Sequence, residues 1–274
     1  MAAREGVAVA GAGGVFGSLL VRELGSRAIP MTRRELDLGD VDSVARVASG
    51  ALAIACTAGP FQSLDRRIVR ACVDAGAHWL DITDDAGWFF GLLDDPELDA
   101  LARERGVAVL PGLSTLPAIS GALLRRLLPA QRVTVTLTIH NRNRKGPAAI
   151  ASAAERFHPP DRALFRRELG VDAEARVAFE MPGVGAILRV LGALPSAQRL
   201  RAARLLSRLA SPFRLGRPGG SVEVRTDDGR VARVEGNDQR LAILPLVYAL
   251  EHLDGITGVH APSIFNAEAL LATL

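Results

Sequence analysis

The first two dozen residues constrain the fold most. Val7-Ala8-Val9-Ala10 is uncharged and apolar, Gly11 ends it, and Ala12-Gly13-Gly14-Val15-Phe16-Gly17 leads into a helical pattern from Ser18 to Leu24. This reads as a buried strand, a glycine turn and a helix. Glycine lets the backbone turn tightly and approach a pyrophosphate with no Cβ in the way, and the helix behind it turns free N–H groups and its positive end towards the phosphates. The common glycine spacing is i, i+2, i+5, but i+5 from Gly11 is Phe16; the spacing that fits is i, i+3, i+6, at Gly11, Gly14 and Gly17. The expected phosphate contacts are therefore Gly11, Gly13, Gly14, Val15, Phe16 and Gly17. The bland alternative is a glycine-rich turn that binds nothing, so the rest of the chain must decide.

The chain has 274 residues, enough for one large α/β domain or two smaller ones. Basic and acidic residues nearly balance, at 33 and 30. Lys145 is the one lysine, so the basic character is arginine scattered among acids. That is a solvated surface, and it argues against nucleic acid as a partner. Cys56 and Cys72 have neither a disulfide framework nor metal spacing, and the five histidines are too dispersed for a zinc site. The segment ahead of the first strand is very short and contains Glu5, and the apolar run from Gly6 to Val21 is broken by glycines. The expectation is a cytoplasmic protein with neither a signal peptide nor a membrane span.

Ala28 to Thr32 reads as the next strand, followed by Arg33-Arg34 where many NAD enzymes carry a ribose-binding acid. Two guanidinium groups suit a 2′-phosphate, so the expected cofactor is NADP, held by Arg33 first and Arg34 second. Asp37 is placed near the adenine. Residues 33–34 cannot supply the dozen-residue crossover that a parallel neighbour needs. Either the third strand is vestigial, or residues 35–38 run on as a loop at the sheet edge. Over this short segment the pattern resembles that of the sugar-nucleotide reductases that make dTDP-rhamnose. Strand and helix then alternate through Ala51–Thr57, a helix to Gly76, His78–Thr83, a helix from Pro96 to Glu104, and Val107–Leu110. The continuous apolar runs are those of strands buried on both faces.

Cys56-Thr57-Ala58-Gly59-Pro60-Phe61 and Ala71-Cys72-Val73-Asp74-Ala75-Gly76-Ala77-His78-Trp79-Leu80-Asp81-Ile82-Thr83 resemble motifs of the saccharopine dehydrogenase-like oxidoreductases. The glycine spacing at Gly11, Gly14 and Gly17 is similar to that family too. The resemblance covers residues 7–115 well and is weaker beyond. The family's glycine and glutamate after the aspartate-hydrophobic-threonine strand end are replaced by Asp84-Asp85, which bears on the substrate. The resemblance implies a Rossmann-type doubly wound parallel sheet with a second, smaller α+β domain. It also implies NADP at the carboxyl ends of the strands, bordered by Thr57, Ala58, Gly59, Pro60, Phe61 and Thr83.

From Gln131 to His140 the pattern changes to alternation, a half-exposed strand that marks a boundary near 130. An Asp227-Asp228-Gly229 turn joins two strands, Ser221–Thr226 and Arg230–Gly236. The expected division is 1–130 for the cofactor and 131–240 for substrate and dimer formation, with helices in 241–274 packing back on the first domain. Residues 187–210 read as one helix, solvated or facing the partner of a homodimer. Leu241 to Leu253 reads as a helix despite Pro245.

Tyr248, the single tyrosine, has no lysine four residues on, which excludes the tyrosine–lysine pair of short-chain dehydrogenases as a local motif. The expected proton donor is Lys145 or His140, with Arg142 or Arg144 holding a substrate carboxylate and Asp84 shaping the nicotinamide pocket. The reading is an NADP-dependent reductase acting on an imine, keto or enoyl group of a small molecule. Two alternatives stand beside it: a redox-inactive NADP-binding sensor or scaffold, and non-redox cyclisation or elimination in a reductase-derived pocket.

Overall fold

Four uncharged residues form β1 (Val7–Ala10), which is buried along its whole length. In this computed structural model, residues 6–140, 142–143, 159–180, 183–195, 198, 201–202, 205–206 and 216–274 are described. β2 (Ala28–Met31) and β3 (Ala53–Cys56) pair with β1 on either side, both parallel to it. The sheet continues through β4 (His78–Asp81), β5 (Ala108–Leu110) and β10 (Gly258–Val259), in the order β2-β1-β3-β4-β5-β10. Parallel strands need helical crossovers. Those helices are α1 (Val15–Leu24), α2 (Val41–Ala48), α3 (Arg67–Asp74), α4 (Ala86–Leu93) and α5 (Pro96–Arg105). α3 packs between α2 and α5, while α1 packs on the later helix α9 (Leu244–Glu251). The sheet is Rossmann-type and doubly wound.

Beyond β2 the sheet stops. Residues 32–36 form a turn closed by Glu35 N–H and Leu36 N–H on the Thr32 carbonyl, and the chain reaches α2 with no intervening strand. Of the two alternatives for residues 35–38, the structure shows the loop. Leu36 is buried and pins it, and Asp40 caps α2 by accepting from Asp42 N–H. Pro30 lies in β2 and has no N–H to offer a further strand, a common device at an exposed edge.

After α6 (Ser120–Arg126) the chain builds a second sheet from β6 (Arg132–Ile139), β7 (Asp172–Phe179), β8 (Gly220–Thr226) and β9 (Val231–Gly236), in the order β7-β6-β8-β9. It is mixed: β7 is parallel to β6, while β8 and β9 are antiparallel neighbours. The parallel pair demands a long crossover, which ends in α7 (Asp161–Leu169). α8 (Val184–Gly192) ends at Gly192, and the described residues 193–195 are not helical, so the expected continuous helix over 187–210 is broken.

The described residues form two buried cores. One holds β1, β3, β4 and β5 with Leu246, Ala249 and Leu250 of α9. The other packs Val133, Val135, Val222 and Val224 of the second sheet under Leu123 and Leu124 of α6 and Leu270 and Leu271 of α10 (Ala267–Ala272). Tyr248 of α9 joins this second core, so α9 serves both. Pro245 falls in the first turn of α9, where a missing N–H costs nothing. Among the described residues no helix is long and apolar enough to cross a membrane.

Candidate functional site

The glycine turn is built by close approach, and its glycines do different things. Gly11 has φ +81°, the left-handed region. A Cβ on Gly17 would lie 2.1 Å from the Gly11 carbonyl oxygen and 2.8 Å from Thr57 Oγ1. Gly14 is the N-cap of α1, and its N–H donates to the Gly11 carbonyl at 2.8 Å. The i, i+3, i+6 spacing is thus a packing rule: the first turn of α1 sits directly on the strand end. Gly13 is different. It is exposed, and a Cβ there would meet nothing within 4 Å among the described residues. α1 begins at Val15, with no side chain capping it and no acid in its first turn. This leaves the N-terminus of α1 with no side-chain cap, the kind of helix start that favours an anion.

At the end of β2, Arg33 and Arg34 are exposed. Arg33 lies 3.8 Å from Asp37, an open contact on both sides. Asp37 also accepts from Gly39 N–H at 3.0 Å, so it shapes the loop. Glu35 turns back on Thr32 N–H at 2.7 Å, and this bond lowers its pKa.

The loops after β3, β4 and β5 share that carboxyl edge. Thr57 donates its hydroxyl to the Ala10 carbonyl at 2.8 Å, welding the β3 loop to the glycine turn. Ala58 and Pro60 are half-buried and Gly59 is exposed, whereas Phe61 is buried against Trp88 at 5.8 Å between ring centroids. Phe61 is therefore a wall behind the loop. The Cys56 thiol, wholly buried and near Asp81, is pushed far up in pKa and is no nucleophile.

Asp81 organises this edge. It is fully buried at the end of β4, and both tryptophans of the chain donate to its Oδ2, Trp79 at 3.0 Å and Trp88 at 2.8 Å. Its Oδ1 accepts from Thr83 N–H at 3.0 Å and Gly112 N–H at 3.1 Å. Burial pushes the Asp81 carboxyl up, and the four donors hold part of that shift back. One side chain thereby ties the β4 loop to the β5 loop. Thr83 is buried, and its hydroxyl accepts from Asp85 N–H at 3.1 Å. Asp85 in turn caps α4 through Trp88 N–H at 2.7 Å. Ser114, beyond β5, donates to the Ala242 carbonyl at 3.0 Å and joins the edge to the approach to α9.

Asp84 stands half-buried between these two anchored residues. Burial raises its carboxyl to about 6, its own backbone N–H opposes that, and Asp85 adds to it. A second carboxyl that the sequence did not single out, Asp161, is buried completely at the start of α7. Burial raises it to about 7, the Ser120 hydroxyl that donates to it pulls it down, and the charge of Asp84 pushes it further up.

His140 is buried at the end of β6. Its Nδ1–H donates to the Pro218 carbonyl at 2.9 Å and its backbone N–H to Gly219 at 3.1 Å, so it anchors the second sheet. Arg142 is exposed, and its backbone N–H donates to Arg217. Arg144 and Lys145 lie outside the described residues. The structure brings the glycine turn, Thr57 to Phe61, Thr83 and Asp84 to one sheet edge, where Asp81 ties the loops together; Ser120 and Asp161 pair with each other at the starts of α6 and α7. Asp81 was visible in the sequence as a buried-strand acid flanked by tryptophan. Nothing local marks Ser120 and Asp161, which are 41 residues apart.

Among known proteins, the chain matches no family model and no curated protein sequence. Solved structures do match. A meso-dapdh mutant from Clostridium tetani, solved with DAP, is similar over 97% of this chain and 96% of that one, at 12% identity and a TM-score of 0.51. The amine dehydrogenase of Mycobacterium smegmatis is similar over the same shares, at 12% identity and a TM-score of 0.50. At such identities the likeness is one of fold, shared over 97% of this chain.

Proposed function

We propose that this protein is an NADP-dependent oxidoreductase that transfers a hydride to an imine, keto or enoyl group of a small molecule. The observation that carries the reading is the contrast between Gly17, which the protein's own packing requires, and Gly13, which it does not. A glycine that faces empty space at an uncapped helix start is explained by a ligand backbone arriving there. The cofactor, when bound, supplies the reactive hydrogen. The chain's own residues hold it: the N–H groups of the glycine turn take the pyrophosphate, Arg33 and Arg34 take a 2′-phosphate, and the loops at Ala58–Pro60 and Thr83 border the nicotinamide ribose. Thr57, Asp37 and Phe61 act one step back, by fixing the loops. The fold shared with an amine dehydrogenase agrees with this reading as an analogy of fold. Arg142 or Arg144 would hold a substrate carboxylate, and the sequence leaves the proton donor between His140 and Lys145. The exposed Ile187 and Val190 of α8 support a homodimer through that helix, which light scattering would test with Val190→Asp.

The direct test is titration with NADPH and NADH, followed by nicotinamide fluorescence. NADPH should bind at least about tenfold tighter, and Arg33→Ala should abolish the preference. Equal affinity would remove the 2′-phosphate role of Arg33, and binding of neither would remove the reading itself.

A further inference from the structure

The helices α6 and α7 meet along three rungs. At their starts the Ser120 hydroxyl meets Asp161 Oδ1. Next, a Cβ on Gly121 would lie 3.4 Å from Phe165 Cε1, so glycine there lets the ring lie against α6. Last, Arg125 donates to Glu168 at 2.9 Å, and Ser263 donates to the other Glu168 oxygen at 2.7 Å. The rungs join 120, 121 and 125 to 161, 165 and 168, so the helices run side by side in one direction with their starts together.

The first rung differs from the last in its electrostatics. Arg125 and Glu168 carry opposite charges and are partly open to solvent. Asp161 has no exposed surface, and its Oδ2 has no partner among the described residues. The described cations around it are engaged or turned outward. Arg125 is held by Glu168, Arg167 by Asp94 of α4 and Arg176 of β7 by Glu174, while Arg162 and Arg166 are exposed. The charge of Asp84, on the loop ahead of α4, repels that of Asp161.

A charge held away from water with one oxygen unmatched is costly. The neutral acid avoids that cost: a proton on Oδ1 donates to Ser120 Oγ, and only a carbonyl oxygen is left unbonded. The Ser120 hydroxyl and the Asp161 N–H favour the charged form, and burial outweighs each of them. We propose that the Ser120–Asp161 rung is a pH-operated latch between α6 and α7. Neutral Asp161 holds the two helix starts together. When it gives its proton to solvent, the carboxylate draws water and the starts part, while the Arg125–Glu168 rung, charged in both states, serves as the hinge. Phe165, buried against Gly121, is the side chain that opening uncovers. α6 leads into β6 and α7 into β7, so the latch acts on the cover of the second sheet. It needs no cofactor and stands apart from the reading above.

Amide hydrogen exchange of the full chain tests this, read as protection factors so that the intrinsic pH dependence of exchange divides out. Protection at Leu123, Leu124, Leu164 and Phe165 should fall at least about tenfold between pH 5 and pH 7 and level off above about pH 8. The reason is linkage: a raised pKa gives stability that is present below the open-state value and lost as pH rises to the closed-state one. Asp161→Asn keeps the shape and the Ser120 bond but cannot ionise, so its protection should stay level over the same range, with amide spectra verifying the fold. In the wild type the Asp161 carboxyl carbon, assigned through its own Cβ, should titrate near neutrality. A flat wild-type profile, which packing alone would give, overturns the latch. So does the same fall in Asp161→Asn, or titration of Asp161 in the ordinary carboxylate range. If Asp161→Asn does not fold, the two wild-type measurements decide.

Discussion

At the scale of single residues, the glycine turn separates fold from ligand. Gly17→Ala would drive a Cβ into the Gly11 carbonyl, a backbone group that cannot step aside. We expect a loss of about 1–3 kcal/mol in urea unfolding, whatever its effect on ligands. Asp81 makes a second residue-scale case. Asp81→Ala would leave two indole and two backbone N–H groups buried with no acceptor. That should cost at least ~3 kcal/mol in the same measurement, more than a surface aspartate would. The glycine spacing was readable because close backbone approach leaves a mark on composition. The work of Asp81 was only half readable: the strand showed where it stands, but its partner Gly112 is 31 residues away and a second tryptophan sits in a helix the sequence did not reveal.

At the scale of elements, that hidden helix is instructive. α4 reads AGWFFGLL, apolar on nearly every side and broken by glycines, so it has no helical period to detect. Burial from several directions takes the place of amphipathicity. The strand β7 leaves a faint trace in the sequence for a related reason: it is an edge strand of a mixed sheet with charges on its open face, and its partner β6 is remote in sequence. The β4–β5 pairing carries its own prediction. His78 Nδ1 accepts from Ala108 N–H at 2.9 Å, which needs a neutral ring, and burial lowers its pKa. A group whose folded pKa is depressed contributes stability above its unfolded pKa, near 6.5, and loses it as pH falls through the folded value. Thermal unfolding from pH 8 to pH 5 should show this loss in the wild type, and His78→Asn should flatten that slope.

At the scale of the whole molecule, one chain makes two cores and draws them together through α9, with the candidate site along the carboxyl edge of the first. The change from continuous apolar runs to alternation near residue 133 announced a second sheet; the pairing of Ser120 with Asp161 could only come from three-dimensional packing. Asp161 affects global stability in the sense opposite to His78. Its folded pKa of about 7 lies above the ordinary 3.8, so its contribution is complete below 3.8 and is lost as pH rises through 7. Asp161→Asn should therefore raise Tm at pH 8 by at least ~2 °C relative to the wild type and change it little at pH 4. If the turn at Gly11–Gly17 receives the phosphates of NADP, titrating NADPH into the wild type and Gly13→Ala will show it. Gly13→Ala should leave the unfolding free energy unchanged to within about 0.5 kcal/mol and weaken NADPH affinity about tenfold or more. A Gly13→Ala protein that binds NADPH as the wild type does would contradict it.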